Sequence, residues 1–120
     1  MWTYDRKNHV FSKGPTRFTE CYSGHGEGLN NPDMEDVHDI GPLPAGLYRM
    51  SGFLDLQGTG KGTIILTPDK NNNMFGRSRF RIHGDNISNN FSASHGCIVL
   101  PGMINRVHVW ESEDHDLQVV

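Results

Sequence analysis

The chain has 120 residues, 35% of them hydrophobic, and a formal net charge of -3. A core of that size can be buried without metals or several disulfides, so we expect one domain over residues 1–120. The acidic balance argues against a general nucleic-acid binder, which normally shows a basic excess. No stretch approaches the ~20 apolar residues of a membrane span, so we expect no membrane insertion.

Short segments rich in aromatic and β-branched residues, at 2–4, 9–12 and 17–22, are separated by turn formers and predict an opening meander of strands. The polar, glycine-rich span 23–39 has no helical period and predicts a long loop. We expect this loop to form a flap over an active cleft.

The two prolines in residues 41–46 predict a rigid turn that starts a strand over 47–53. After a glycine-rich turn, the apolar run 63–67 predicts a central strand buried on both faces. Residues 77–83 alternate, which places Phe80 and Ile82 in the core. The opposite face should carry a basic row that ends in a histidine: Arg77, Arg79, Arg81 and His83.

Residues 97–100 predict a further strand, with Ile98 and Leu100 facing the core. Pro101 can begin a short helix that runs to about Trp110, since proline is tolerated at the first helical position. Residues 117–120 suggest a final edge strand. The pattern as a whole predicts a mainly β fold, a sandwich or flattened barrel of mixed strands with one short helix.

The chemistry concentrates in residues 80–101, which contain His83 and Cys97. A thiol becomes a strong nucleophile when an imidazole accepts its proton or stabilises the thiolate. The two residues can meet if the chain turns back between them, and the intervening residues are turn formers. These are Asn86, Ser88, Asn89, Asn90, Ser92 and Ser94.

Gly96 precedes the cysteine and can adopt backbone angles that aim consecutive N–H groups at one point. If the amides of Gly96 and Cys97 converge beside the sulfur, they form an oxyanion hole. The stretch therefore predicts acyl transfer through a thioester. Nearby arginines should lower the pKa of both His83 and Cys97, which favours neutral imidazole and thiolate.

The run I-H-G at 82–84, followed by S-H-G-C-I at 94–98, resembles the signature of the L,D-transpeptidase (YkuD-type) catalytic domain. The short gap between His83 and Ser94, and Val99 where many such domains carry arginine, resemble the compact type VI secretion L,D-transpeptidase effectors. Further runs are similar to that branch, at residues 22–26, 41–48, 66–69 and 74–80. The resemblance covers most of the chain.

This resemblance implies catalytic residues, a substrate, a location and partners. Cys97 would be the nucleophile, His83 the base and Gly96 an oxyanion donor, with Ser94 and His95 lining the site. The substrate would be the tetrapeptide stem of peptidoglycan, cut between meso-diaminopimelate and D-alanine. The protein would be made without a conventional signal peptide and act in the periplasm of a target bacterium. Its partners would include secretion machinery and a cognate immunity protein.

Four residues are candidates for substrate contact. Arg81 lies nearest the predicted base and could bind a carboxylate. His25 lies in the predicted flap, and Tyr22 begins the motif at 22–26. Asp85 could contact substrate or orient His83, and capping of a turn explains it equally well.

Several alternatives stay open. His83, His95 and Cys97 could together bind zinc, but their spacing matches no zinc signature, so we expect no metal or other cofactor. A Cys21–Cys97 disulfide would silence the nucleophile, so we expect Cys21 to be a buried thiol. The chain could also be a non-catalytic peptidoglycan-binding domain, or a phage or housekeeping wall enzyme.

Overall fold

The computed structural model describes residues 1–85, 94 and 96–120. This part of the chain forms nine strands, one α-helix, α1 (Met103–Glu111), and two short 3-10 turns at Gly26–Gly28 and Pro32–Met34. The strands are β1 (Trp2–Asp5), β2 (Val10–Lys13), β3 (Thr16–Glu20), β4 (Tyr22–Ser23), β5 (Gly46–Leu56), β6 (Gly60–Pro68), β7 (Arg81–His83), β8 (Ile98–Val99) and β9 (Asp116–Val119).

The nine strands form one mixed sheet in the order β3-β2-β1-β9-β5-β6-β7-β8-β4. Most neighbours are antiparallel, but β1 pairs with β9, and β7 with β8, in parallel. The sheet is not closed on itself, because β3 and β4 stand at its two ends. The predicted mainly β fold is confirmed, in the form of an open, single-sheet domain.

The long β5–β6 hairpin occupies the middle of the sheet, where its apolar run predicted a central strand. Thr63, Ile64 and Leu66 on β6 are buried, and β6 lies between β5 and β7. The hairpin turns at Gly58 and Gly60, both at φ +93°, a left-handed conformation that glycine adopts without strain. The predicted strands at 47–53 and 63–67 are confirmed and longer than expected.

The C-terminal strand is not at an edge, so that prediction was wrong. β9 inserts between β1 and β5, parallel to the first and antiparallel to the second. Leu117 and Val119 point into the core, where they are at most 2% exposed. The predicted strand 17–22 is likewise interrupted, because β3 ends at Glu20 and β4, which begins at Tyr22, pairs with β8 at the other end of the sheet.

The alternating strand predicted over 77–83 is also corrected. Only β7, from Arg81 to His83, is extended, because Arg79 adopts φ +64° and reverses the chain just before it. Phe80 and Ile82 are buried as predicted, but Arg77 is only 8% exposed and does not lie on a solvated face. The basic row of four therefore does not form.

Helix α1 follows β8 and packs on β6 through Arg106. It begins at Met103 with Gly102 as its N-cap, so the prediction that Pro101 begins the helix was wrong, while the predicted end near Trp110 is confirmed. The Arg106 side chain is 5% exposed, and its guanidinium donates to the carbonyls of Lys61, Gly62 and Leu100 at 2.8–3.2 Å. It therefore joins the helix to the start of β6 and to the end of β8. Within the described ranges, no helix has the length and apolar character needed to cross a bilayer.

Candidate active site

The parallel pairing of β7 with β8 brings His83 and Cys97 to the same face of the sheet. Ile82 is in register with Ile98, and both are fully buried. His83 follows the first and Cys97 precedes the second, so both residues belong to the opposite face, offset by two positions. Strand spacing of ~4.8 Å and a rise of ~3.3 Å per residue place such diagonal neighbours roughly 8 Å apart at Cα.

The thiol of Cys97 is turned toward the start of β7. Its Sγ donates to the carbonyl of Arg79 at 3.5 Å. Within the described part of the chain, no hydrogen bond joins Sγ to His83. Burial raises the pKa of Cys97, whereas the backbone N–H of Arg81 and the charges of Arg81 and Arg77 lower it.

His83 is 6% exposed, and its ring is fixed by the carbonyl of Gly84, 2.8 Å from Nδ1. Because that oxygen only accepts, Nδ1 carries the hydrogen and Nε2 is left as the basic nitrogen. Burial lowers the pKa of His83, and the charges of Arg106 and Arg81 act in the same direction. The hydrogen bond to Gly84 and the charge of Asp85 act in the opposite direction and raise this pKa. His83 is therefore a neutral imidazole at neutral pH.

Arginine charge lowers the pKa of His83, as expected, although burial of the ring is the larger cause. For Cys97 the expectation of a lowered pKa was wrong, because desolvation of the sulfur outweighs the nearby cations. At rest the site therefore holds a neutral thiol and a neutral imidazole that, among the described residues, are not hydrogen-bonded to each other. Such a pair needs proton transfer from sulfur to nitrogen during the reaction, not a preformed ion pair.

Ser94 fixes the turn before the cysteine and does not face solvent. Its hydroxyl donates to the carbonyl of Cys97 at 2.6 Å and accepts from the amides of Gly24 and Gly96 at 2.9 and 3.1 Å. The amide of Gly96 is thus directed at Ser94 and not at the cleft. Ser94 is a positioning residue in this arrangement, while His95 lies outside the described residues.

Arg77 holds the turn from the other side, a role that the alternating pattern did not predict. Its guanidinium donates to the carbonyls of Glu35, Gly41 and Pro42 at 2.5–3.0 Å. It also lies against Gly96, where a Cβ would approach Nη2 to 2.1 Å, and Gly96 has φ +121°. The signal in the sequence was the M-F-G-R-S-R-F run, which contains Arg77 and belongs to the family resemblance.

A cavity of about 340 Å³ opens beside the sulfur. One wall comes from the segment before β7, and the other from His38 and Asp39 at the end of the long loop. The described lining residues are His38, Asp39, Gly76, Arg77, Ser78, Arg79, Phe80, Gly96 and Cys97. The loop predicted as a flap thus contributes its last residues to the wall of the cleft.

The four candidates for substrate contact lie elsewhere. The hydroxyl of Tyr22 donates to Asp85 at 2.7 Å, and these two residues line a separate, smaller cavity. Nδ1 of His25 donates to the carbonyl of Ser94 at 2.9 Å. Arg81 lines an adjacent cavity of about 210 Å³ that shares four lining residues with the main one, Arg77, Ser78, Arg79 and Phe80. None of the four is among the described lining residues of the cavity beside Cys97.

Both cysteines are free thiols, Cys21 being buried. Burial raises the pKa of the Cys21 thiol far above its ordinary value, so this residue is a poor nucleophile. Within residues 1–85, 94 and 96–120, no group of three or more His, Cys, Asp or Glu side chains could hold a metal ion. The zinc alternative also involved His95, which is outside those ranges.

Fold and site together define a small mainly β domain that presents a cysteine and a histidine on one face of its sheet. Residues 17–114 match the family described as the Tlde1 domain, so the chain belongs to the Tlde1 domain family. This is a family of type VI secretion L,D-transpeptidase effectors. Among curated proteins, no sequence matches the chain.

Proposed function

We propose that the protein is a cysteine-dependent acyl transferase of peptidoglycan that acts on tetrapeptide stems as an L,D-carboxypeptidase, an L,D-transpeptidase, or both. The observation that carries the proposal is the β7–β8 register, which sets His83 and Cys97 on one face of the sheet, with Cys97 lining an open cavity. Membership of the Tlde1 domain family supports the choice of peptidoglycan as substrate.

The first half-reaction forms a thioester. Sγ of Cys97 attacks the carbonyl carbon of diaminopimelate in the bond to D-alanine, while Nε2 of His83 accepts the thiol hydrogen. The carbonyl π electrons move onto oxygen and return when the C–N bond breaks. The proton on His83 then goes to the departing amine of D-alanine, so the imidazole is neutral again.

The second half-reaction removes the acyl group. Water attack on the thioester gives a tripeptide stem, and attack by an amine gives an exchanged or cross-linked product. His83 accepts a proton from the attacking group and returns it to sulfur, so no other reactant is consumed. Exchange and hydrolysis therefore differ only in the nucleophile that reaches the cavity.

Rotation of the Cys97 side chain is part of this mechanism. The thiol donates to Arg79 in the resting arrangement, and substrate has to draw it toward His83. Because the Gly96 amide is engaged by Ser94, we assign the amide of Cys97 as the first oxyanion donor. The backbone N–H of Arg81, which already favours the ionised sulfur, is the candidate second donor.

The biological setting is proposed on the same basis. The protein is delivered into the periplasm of a target bacterium, where it attacks the cell wall, and a cognate immunity protein blocks the cleft in the producer. Peptidoglycan stem peptides, the secretion machinery and the immunity protein are the proposed partners. A non-catalytic peptidoglycan-binding role remains the alternative, since Ser94 and Arg77 would hold the same turn in either case.

Incubation with purified disaccharide tetrapeptides tests the proposal. We expect conversion to tripeptide with release of D-alanine, and exchange products when a free D-amino acid is added, with both activities abolished in Cys97→Ala. The binding-module alternative predicts unchanged muropeptides. Equal turnover by Cys97→Ala and wild type would exclude the cysteine mechanism.

The pH dependence of the reaction follows from the two pKa shifts. Because the pKa of His83 is lowered from 6.5, protonation should reduce kcat/KM only below pH 6.5. Because the pKa of Cys97 is raised from 9.0, loss of the proton needed by the leaving amine should reduce kcat/KM only above pH 9.0. Alkylation by iodoacetamide, which reports thiolate, should rise throughout the neutral range. An alkylation rate already constant at pH 6.5 would indicate a preformed ion pair and contradict this account.

A further inference from the structure

Two exposed residues of opposite charge line the cavity beside Cys97, together with the buried Arg77. Arg79 and Asp39 are both exposed, and they come from opposite walls of the cavity. Neither forms an ion pair with another residue in the part of the chain that the structure describes. Both charged groups are therefore accessible to a ligand, beside the sulfur that would react.

One of the two residues has a backbone conformation that is unfavourable for its type. Arg79 has φ +64°, in the left-handed region that arginine rarely occupies, whereas Asp39, at φ +65°, is of a type that tolerates this region. An unfavourable conformation persists only where the surroundings enforce it, and such conformations concentrate at catalytic and ligand sites. The conformation of Arg79 therefore supports a functional role for the segment that carries it.

The two walls are fixed to each other. Nε2 of His38 donates to the carbonyl of Phe75 at 2.8 Å, which joins the end of the loop to the segment that contains Arg79. Arg77, in the same segment, donates to carbonyls of the loop at Gly41 and Pro42. The backbone segments that carry Asp39 and Arg79 are thus held together by hydrogen bonds.

Arg79 is also joined directly to the nucleophile, because its carbonyl accepts the hydrogen of the Cys97 thiol. Arg79 and the sulfur-bearing Cys97 therefore line the same cavity and are in direct contact through the Arg79 backbone. A guanidinium matches a carboxylate with two parallel hydrogen bonds, and a carboxylate binds an ammonium group. A cavity of about 340 Å³ is at the small end of ligand pockets and suits a group the size of an amino acid.

We infer that this cavity binds a zwitterionic α-amino-acid group, with Arg79 bound to its carboxylate and Asp39 to its ammonium. The inference rests on the proposed function, in which the acyl donor is diaminopimelate. The distal end of that residue's side chain carries an ammonium and a carboxylate on one carbon atom. A lysine side chain in the same position offers only the ammonium, so this site would select diaminopimelate-type stems.

Protection of Cys97 from alkylation tests the site without requiring turnover. The probes are meso-diaminopimelate, pimelate, which lacks the ammonium groups, and cadaverine, which lacks the carboxylates. We expect meso-diaminopimelate alone to slow modification of Cys97 by iodoacetamide. Arg79→Gln and Asp39→Asn should each weaken this protection by about tenfold or more, equivalent to ~1.4 kcal/mol.

A matched control is available on the surface. Arg49 and Asp116 form an exposed ion pair at 3.0 Å and are not among the described lining residues of the cavity. Arg49→Gln and Asp116→Asn remove the same charges, and protection should remain as in wild type. Equal protection by pimelate or cadaverine, or equal weakening in these control variants, would overturn the inference.

Turnover of modified stems identifies the carboxylate that Arg79 binds. Amidation of the diaminopimelate side-chain carboxylate should reduce kcat/KM about tenfold or more in wild type and much less in Arg79→Gln. An effect of amidation at the terminal D-alanine alone would assign Arg79 to the leaving group and refute the zwitterion site. Efficient turnover of every peptide would refute the site and leave the proposed function intact. Protection without any turnover would refute the proposed function instead.

Discussion

Replacing His83 with glutamine is expected to lower kcat/KM for D-alanine release by about 10²- to 10⁴-fold, the usual contribution of a general base. Glutamine keeps a polar side chain in the buried position but cannot accept the thiol proton at neutral pH. The acid limb of the pH profile should disappear with the imidazole that produces it. Steady-state release of D-alanine as a function of pH measures both effects.

His108→Gln is the matched control for this substitution. His108 is exposed on α1, stacks on Phe18 and is not among the described lining residues of the cavity. We expect its replacement to change kcat/KM by no more than a few fold. A loss in His108→Gln as large as that in His83→Gln would show that the effect is not specific to the proposed base, and would contradict the mechanism.

Replacing Arg77 with glutamine should destabilise the protein and weaken the nucleophile together. Hydrogen bonds to a charged group contribute about 1.5–3 kcal/mol each, and this change disrupts the bonds to three carbonyls, those of Gly41 and Pro42 being buried. We expect a loss of about 3 kcal/mol or more in the free energy of unfolding, measured by urea denaturation. Because the cation lowers the pKa of Cys97, its removal should also raise that pKa and slow alkylation at neutral pH.

Two comparisons separate these effects. Arg49→Gln removes an exposed arginine, 60% accessible, whose ion pair should contribute no more than about 1 kcal/mol to stability. Arg77→Lys keeps the positive charge but not the forked geometry, so it should lose stability while retaining most of the effect on the thiol pKa. If Arg77→Gln leaves both the unfolding free energy and the alkylation profile unchanged, the assignment of Arg77 is wrong.

Local sequence patterns predicted the strands and the helix that are determined mainly by residues adjacent in sequence. The apolar run at 63–67 predicted a central strand because that signal comes from local side chains. A short helix was also predicted in the right region, although α1 begins at Met103 and not at Pro101. The pairing of His83 with Cys97 was predicted from a motif, and the β7–β8 register places them on the same face. Whether these residues carry the reaction stays a prediction.

The missed features depend on distant parts of the chain. Leu117 lies inside the sheet because β1 and β5 flank its strand, and no local signal distinguishes that position from an edge. Arg77 is buried because it donates to the carbonyls of Gly41 and Pro42, which lie 36 and 35 residues earlier in the chain. Arg79 breaks its strand by adopting φ +64°, a conformation expected of glycine and not of arginine.

The burial of the thiol is the feature with the greatest mechanistic consequence. The sequence predicted arginines near Cys97, and their charges do lower the pKa of the thiol. Burial raises that pKa by more, and the extent of burial depends on tertiary packing that the local sequence does not reveal. The result is a neutral thiol that requires a base. General-base catalysis by His83, and not a preformed ion pair, is therefore the proposed route to the thiolate.

Detection of the covalent intermediate tests the central claim most directly. Wild-type protein mixed with a tetrapeptide stem and quenched in acid within one turnover should gain the mass of the acyl tripeptide, and peptide mapping should locate the gain at Cys97. Hydroxylamine should remove it, as expected for a thioester, and Cys97→Ala should show none. Release of D-alanine at the wild-type rate by Cys97→Ala, with no adduct on the wild-type protein, would contradict the account.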